Sequence, residues 1–132
     1  MKSFKQFLLE FAPTEDAIHA FADKVKDELG LNKFDLWVSS KNPKVIGLRY
    51  IIIGKDKQAE GTGTKAMNML CKYADEHGLK ILLSPSDKDS RLGTTSKSRL
   101  VDFYKRFGFV ENKGKLKDFA FMDSMYRNPK IK

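Results

Sequence analysis

Apolar residues along this chain recur at helical spacing in some stretches and alternate in others. Phe4, Phe7, Leu8 and Phe11 fall three or four residues apart among Lys2, Lys5, Gln6 and Glu10, which predicts a short amphipathic helix. Pro13 closes it, because the residue before a proline avoids the helical region. Thr14 can then cap a second helix, with Glu15 and Asp16 favourable in its first turn. Ile18, Phe21, Ala22, Val25 and Leu29 form that helix's apolar stripe, and Gly30 ends it.

Strand patterns follow. Over residues 34–39, Phe34, Leu36 and Val38 alternate with Asp35, Trp37 and Ser39. A turn at 41–44 leads into a long apolar run over 45–53, in which Gly47 marks a candidate bulge. Plain alternation puts Ile46, Leu48, Tyr50 and Ile52 on one face, and Arg49, Ile51 and Ile53 on the other. Burial on both faces near its end predicts a central strand.

A helix over 63–77 turns Ala66, Met67, Leu70, Tyr73 and Ala74 inward and stops at His77-Gly78. A short strand at 80–84 and a polar loop at 86–96 come next. A helix over 98–107 buries Leu100, Val101, Tyr104 and Phe107, with Gly108 free to cap it at positive φ. Phe109-Val110 and residues 118–122 read as two late strands around a basic loop at 112–117, and the last few residues read as frayed. The alternation of strands and helices predicts an α/β (α+β) domain with a mixed sheet and helices on both faces.

Composition narrows the class. The chain has 132 residues, 41% of them hydrophobic, enough for one domain that buries about 65–70% of its unfolded surface. One cysteine, Cys71, excludes an internal disulfide framework. No apolar run approaches the roughly 18–20 residues of a membrane span, so no membrane partner is expected, and the start is too polar for a signal peptide. A formal charge of +8 favours anionic partners, a phosphate cofactor or nucleic acid. The basic residues are scattered, so solubility alone also accounts for them.

The chemistry centres on Gln58-Ala59-Glu60-Gly61-Thr62-Gly63-Thr64-Lys65, between the long strand and the next helix. Two glycines let backbone N–H groups turn inward together, and the helix N-terminus behind them adds partial positive charge; both suit a phosphate or pyrophosphate. A P-loop is excluded, since Gly63 is followed by Thr64-Lys65-Ala66 rather than Lys-Ser/Thr. The segment from Gly61 to Ala66 satisfies a dinucleotide fingerprint on paper. However, seven residues separate Ile53 from Gly61, and Ser84-Pro85-Ser86 stands where an acidic ribose ligand belongs. A turn that serves geometry alone remains open.

Gln58-x-x-Gly61-x-Gly63 resembles the Gln/Arg-x-x-Gly-x-Gly/Ala signature of the Gcn5-related N-acetyltransferase (GNAT) family. Phe103-Tyr104-Lys105-Arg106-Phe107-Gly108-Phe109, about 45 residues later, is similar to that family's late helix, where a tyrosine precedes Gly-Phe by four residues. The C-terminal half looks like small phage- and plasmid-borne members, through Leu83 to Ser86, Phe103 to Phe109 and Asn112 to Phe119. The resemblance spans residues 34 to about 122 and implies a mostly antiparallel sheet splayed at its centre. Residues 13–132 would form a single acetyltransferase domain.

The resemblance also implies acetyl-CoA as cosubstrate and a primary amine, on a protein or a small molecule, as acceptor. The amides of Gln58, Ala59, Glu60, Gly61, Thr62, Gly63 and Thr64 would wrap the pyrophosphate; Lys65, near the helix start, reads equally as a phosphate contact and as an exposed lysine serving solubility. The backbone of Ile51, Ile52 and Ile53 would pair with the pantetheine arm, and the Ile52 or Ile53 amide would polarise the thioester carbonyl. Tyr104 matches the family's general acid, with a core tyrosine as the competing reading. Lys97 stands where the family has an asparagine, which leaves Ser96 or Ser98 to supply that CoA contact. The central strand lacks the family's glutamate, so the base stays open among Tyr50, Ser84 through water, and Asp118. The family has three strands before the glycine turn and this sequence shows two, so the early sheet is abridged or part of 2–12 is a strand.

The segment 1–12 carries a second resemblance, to capsid-targeting leaders of internal head proteins in large tailed phages. These are short, amphipathic and cut after an aliphatic-x-Glu triplet, as in Leu8-Leu9-Glu10. That implies a protein trimmed after Glu10 and packaged in the virion head, where phage DNA or a host protein would be the partner of a non-catalytic chain keeping the fold. The competing expectation is an ordinary first helix in a cytoplasmic enzyme of the host cell.

Overall fold

A computed structural model describes residues 13–54, 61–85, 97–114, 117–118 and 123–130. The expected first helix or leader, the polar loop at 86–96 and nearly all of the strand expected at 118–122 lie outside the described residues.

Helix α1 (Glu15–Leu29) begins where the capping chemistry places it. Thr14 is extended at φ −70° and ψ 162°, its Oγ1 accepts a hydrogen bond from the Ala17 N–H at 3.1 Å, and Gly30 closes the other end at φ 64°. Ile18, Ala22 and Val25 are buried, with Phe21 and Leu29 half-buried beside them. Strand β1 (Lys33–Val38) then pairs antiparallel with β2 (Val45–Ile52).

In that pair Asp35 lies opposite Tyr50 and Leu36 opposite Leu48, so Arg49 is an extra residue on β2. The bulge expected at Gly47 therefore sits at Arg49, and it shifts the phase of every residue beyond it. Ile46 and Leu48 share their face with Ile51 rather than with Tyr50. Tyr50 turns to the other face, 36% exposed, with the Lys33 ammonium 4.4 Å from its ring centroid. Gly47 serves a different purpose: a Cβ there would sit inside the Trp37 indole, which lies across it.

Helix α2 (Thr62–His77) crosses to β3 (Lys80–Leu83), which runs parallel to β2. Helix α3 (Lys97–Lys105) is followed by a turn, β4 (Val110–Glu111) and β5 (Met125–Arg127). The five strands are ordered β1-β2-β3-β5-β4, with one parallel pair and three antiparallel ones. Strand β5 was not expected, since residues 125–127 follow what reads as the last strand.

All three described helices feed one apolar cluster. Its strand members include Phe34, Leu36, Ile46, Ile51, Ile81 and Met125, and the cross-strand pairings put these on one face. Trp37, Gly47, Leu82 and Tyr126 lie on the opposite face, to which no described helix is packed. The expectation of helices on both faces is thus not met among the described residues. The reason is the amphipathicity of the sheet itself, apolar toward α1–α3 and mixed on the other side.

Candidate functional site

Gly61, at φ 72°, caps α2 with no side-chain hydrogen bond to the helix, and its carbonyl accepts from the Lys65 N–H at 3.1 Å. A Cβ at Gly61 would meet nothing within 4 Å, so glycine is required here by backbone conformation and not by crowding. A helix leaves its first N–H groups without intrahelical partners, and the first turn of α2 carries no acidic residue. Thr62 is buried and Gly63 and Thr64 are half-buried. From the end of α3, the Arg106 guanidinium donates to Thr64 Oγ1 at 3.4 Å, across 42 residues of sequence. Arg106 also lies over the Phe103 and Phe107 rings, with centroid distances of 5.4 and 5.9 Å. The α2 N-terminus thus has helix dipole, Lys65 and Arg106 acting with one sign. Gln58, Ala59 and Glu60 lie outside the described residues.

Strands β2 and β3 share only a short ladder: Val45 with Lys80, Ile46 with Ile81, and Gly47 with Leu82. Beyond Gly47, β2 continues to Ile52 with β1 as its described ladder partner. The ladder ends at its third pair, one residue before β3 itself ends at Leu83, while β2 runs on toward α2. The Ile52 carbonyl accepts from the Asn32 N–H at 2.9 Å and so faces the β1 side. Main-chain groups of successive strand residues point to opposite edges, so those of Ile51 face the other edge. Of the two residues expected to polarise a thioester, Ile52 has its carbonyl toward β1, and Ile53, just beyond the strand, already has an interaction partner.

Tyr104 lies on the third turn of α3, 6% exposed, edge-on to Phe103 and Phe109 at 5.3 and 5.9 Å. Burial pushes its phenol far above the ordinary tyrosine range. It is therefore protonated at neutral pH, a donor and not a base. Its backbone carbonyl accepts from the Phe107 N–H at 3.0 Å, within the turn that delivers Arg106 to Thr64.

Other expected residues are scattered. Ser98 is exposed in the first turn of α3, and Ser96 lies outside the described residues. Ser84 Oγ accepts from the Ser124 N–H at 3.0 Å and anchors the start of β5. Asp118 is 3.7 Å from the Lys80 ammonium. His19 is exposed on α1, and the His77 carbonyl accepts from Lys44 Nζ at 2.9 Å. Cys71 is buried in α2, where burial pushes its thiol up. Among the described residues no group of three His, Cys, Asp or Glu could hold a metal ion, and no helix is long and apolar enough to cross a membrane.

Sequence reasoning missed Arg106 as a neighbour of the turn; its only signal was its place beside Tyr104. It also missed a cavity of about 730 Å³ on the helix-free face, walled by Trp37, Val45, Lys80, Leu82, Asp118 and Asp123. No protein-family model matches the chain, and no curated protein or solved structure matches it.

Proposed function

We propose that the chain is an acetyl-CoA-dependent N-acetyltransferase, acting on a primary amine by direct attack on the thioester. The observation that carries this reading is that β2 runs five residues past the end of its ladder with β3, toward α2 and its positive-φ glycine. A thioester arm can lie against the exposed edge of β2 through Ile51, while a diphosphate meets the α2 N-terminus and Arg106.

The amine nitrogen attacks the thioester carbonyl carbon, the developing oxyanion is met by a backbone N–H at the end of β2, at Ile52 or Ile53, and the C–S bond breaks. The leaving thiolate takes a proton from Tyr104, and the amine gives its proton to a base still open among Tyr50, Ser84 and Asp118.

Calorimetry with acetyl-CoA tests the reading directly. Micromolar binding, lost in a Gly61→Glu, Gly63→Glu variant, is the expected result, and no heat with the native chain rejects the proposal. Tyr104→Phe should then lower turnover about 10²-fold or more, the usual worth of a proton donor, with coenzyme affinity unchanged. Unaltered turnover would remove Tyr104 from the mechanism.

A further inference from the structure

The sheet face opposite the apolar cluster holds a cavity whose walls differ in kind. Its apolar side is the Trp37 indole, laid across Gly47, which has no side chain, with Val45 and Leu82 beside it. Its polar side has two carboxylates, Asp118 and Asp123, and two lysines, Lys80 and, at the hairpin rim, Lys41. Lys80 is already engaged, 3.7 Å from Asp118 and 4.9 Å from the Tyr126 ring centroid. Asp123 is half-buried and has no ion-pair partner among the described residues, and burial pushes its carboxyl up by disfavouring the charged form. The volume, about 730 Å³, is that of a small-molecule pocket. It sits at the start of the β2–β3 ladder, where Val45 pairs with Lys80, beneath the β1–β2 hairpin.

We infer that this cavity binds a small organic ammonium with an apolar or aromatic body, its cation against Asp123 and its body against Trp37. An apolar or aromatic body stacked on the indole is removed from water, and a charge pair formed where water is partly excluded is stronger than one in bulk solvent. The Ser39 and Asn42 side chains accept from the Lys41 and Lys44 N–H groups, which holds the hairpin at the cavity rim and leaves the Asn42 amide hydrogens for a ligand acceptor.

Trp37 is the one tryptophan of the chain, so its emission reports on this cavity alone. Titration with 2-phenylethylammonium should give a saturable change in that emission. The neutral 2-phenylethanol and the anionic phenylacetate, near-isosteric in the ring, should bind at least tenfold more weakly. Asp123→Asn should weaken the ammonium probe about tenfold while leaving probe-free emission unchanged and the thermal midpoint no lower. Equal binding of all three probes, a preference for phenylacetate, or no saturation by any of them overturns the inference. The probe comparison uses the native chain, so it stands even if the variant fails to fold. Because no coenzyme is present, failure here leaves the acetyl-CoA result untouched, and a negative acetyl-CoA result leaves the cavity's ligand class standing.

Discussion

At Gly47 the absence of a side chain decides how the sheet is built. Trp37 is directly opposite it on β1, and a methyl group there would occupy the same space as the indole. Gly47→Ala must therefore displace the indole or spread the strands, an overpacking cost of about 1–3 kcal/mol. A lowered urea midpoint together with a shifted Trp37 emission is the expected result. A midpoint change without an emission change would place the strain elsewhere. The sequence signals that glycine is needed at helix ends, and Gly30, Gly78 and Gly108 do take positive φ. Gly47 carries no such signal, because its reason lies across the strand pair and not in its own dihedrals. Tyr104 was legible as a buried tyrosine from its apolar neighbours, but its raised pKa comes from packing that a linear pattern does not contain.

Among the elements, α1 was readable end to end because its signals are local. The Thr14 hydroxyl accepts from the Ala17 N–H, so Thr14→Ala should cost about 1 kcal/mol and Thr14→Ser little, by chemical denaturation. Equal stability of the three forms would mean that the cap is redundant with Glu15 and Asp16. Strand β2 was located correctly but assigned the wrong faces beyond Leu48. A bulge is set by which residue the partner strand skips, here Arg49, and nothing within 45–53 marks it. Strand β5 escaped for a related reason. Its three residues are too short for a periodic pattern, and they become a strand only by pairing on both sides, with β3 and β4. The glycine turn was legible as chemistry. Its third neighbour, Arg106, is 42 residues away from Thr64 in sequence, and only the fold joins them.

At the scale of the whole molecule, the C-terminal strand is held by charge. Arg127, 4% exposed, sends two guanidinium N–H groups to Asp75 on α2, at 2.8 and 2.9 Å, and a third to the Phe107 carbonyl at 2.7 Å. One side chain thus ties β5 to α2 and to the turn that positions Arg106. The Lys130 N–H adds a further bond to Asp75 at 2.8 Å. The hydrogen bond from Arg127 holds the Asp75 carboxyl below the usual carboxylate range, against an opposing effect of burial. A carboxyl lowered in the folded state contributes stability that is fully present above its unfolded value, about 3.9, and is lost as pH falls through the folded one. Asp123 acts in the opposite sense, since burial raises its carboxyl and protonation relieves it. Asp75→Asn isolates the first effect, because an amide resembles the protonated acid. The variant should be about 2–4 kcal/mol less stable at pH 7, as it leaves a buried guanidinium without its counter-charge. That difference should shrink steadily below pH 4 as the native Asp75 takes up its proton. Urea unfolding of both forms from pH 7 to pH 2.5 measures it, and two curves that stay parallel across this range would show that the pair does not govern acid stability.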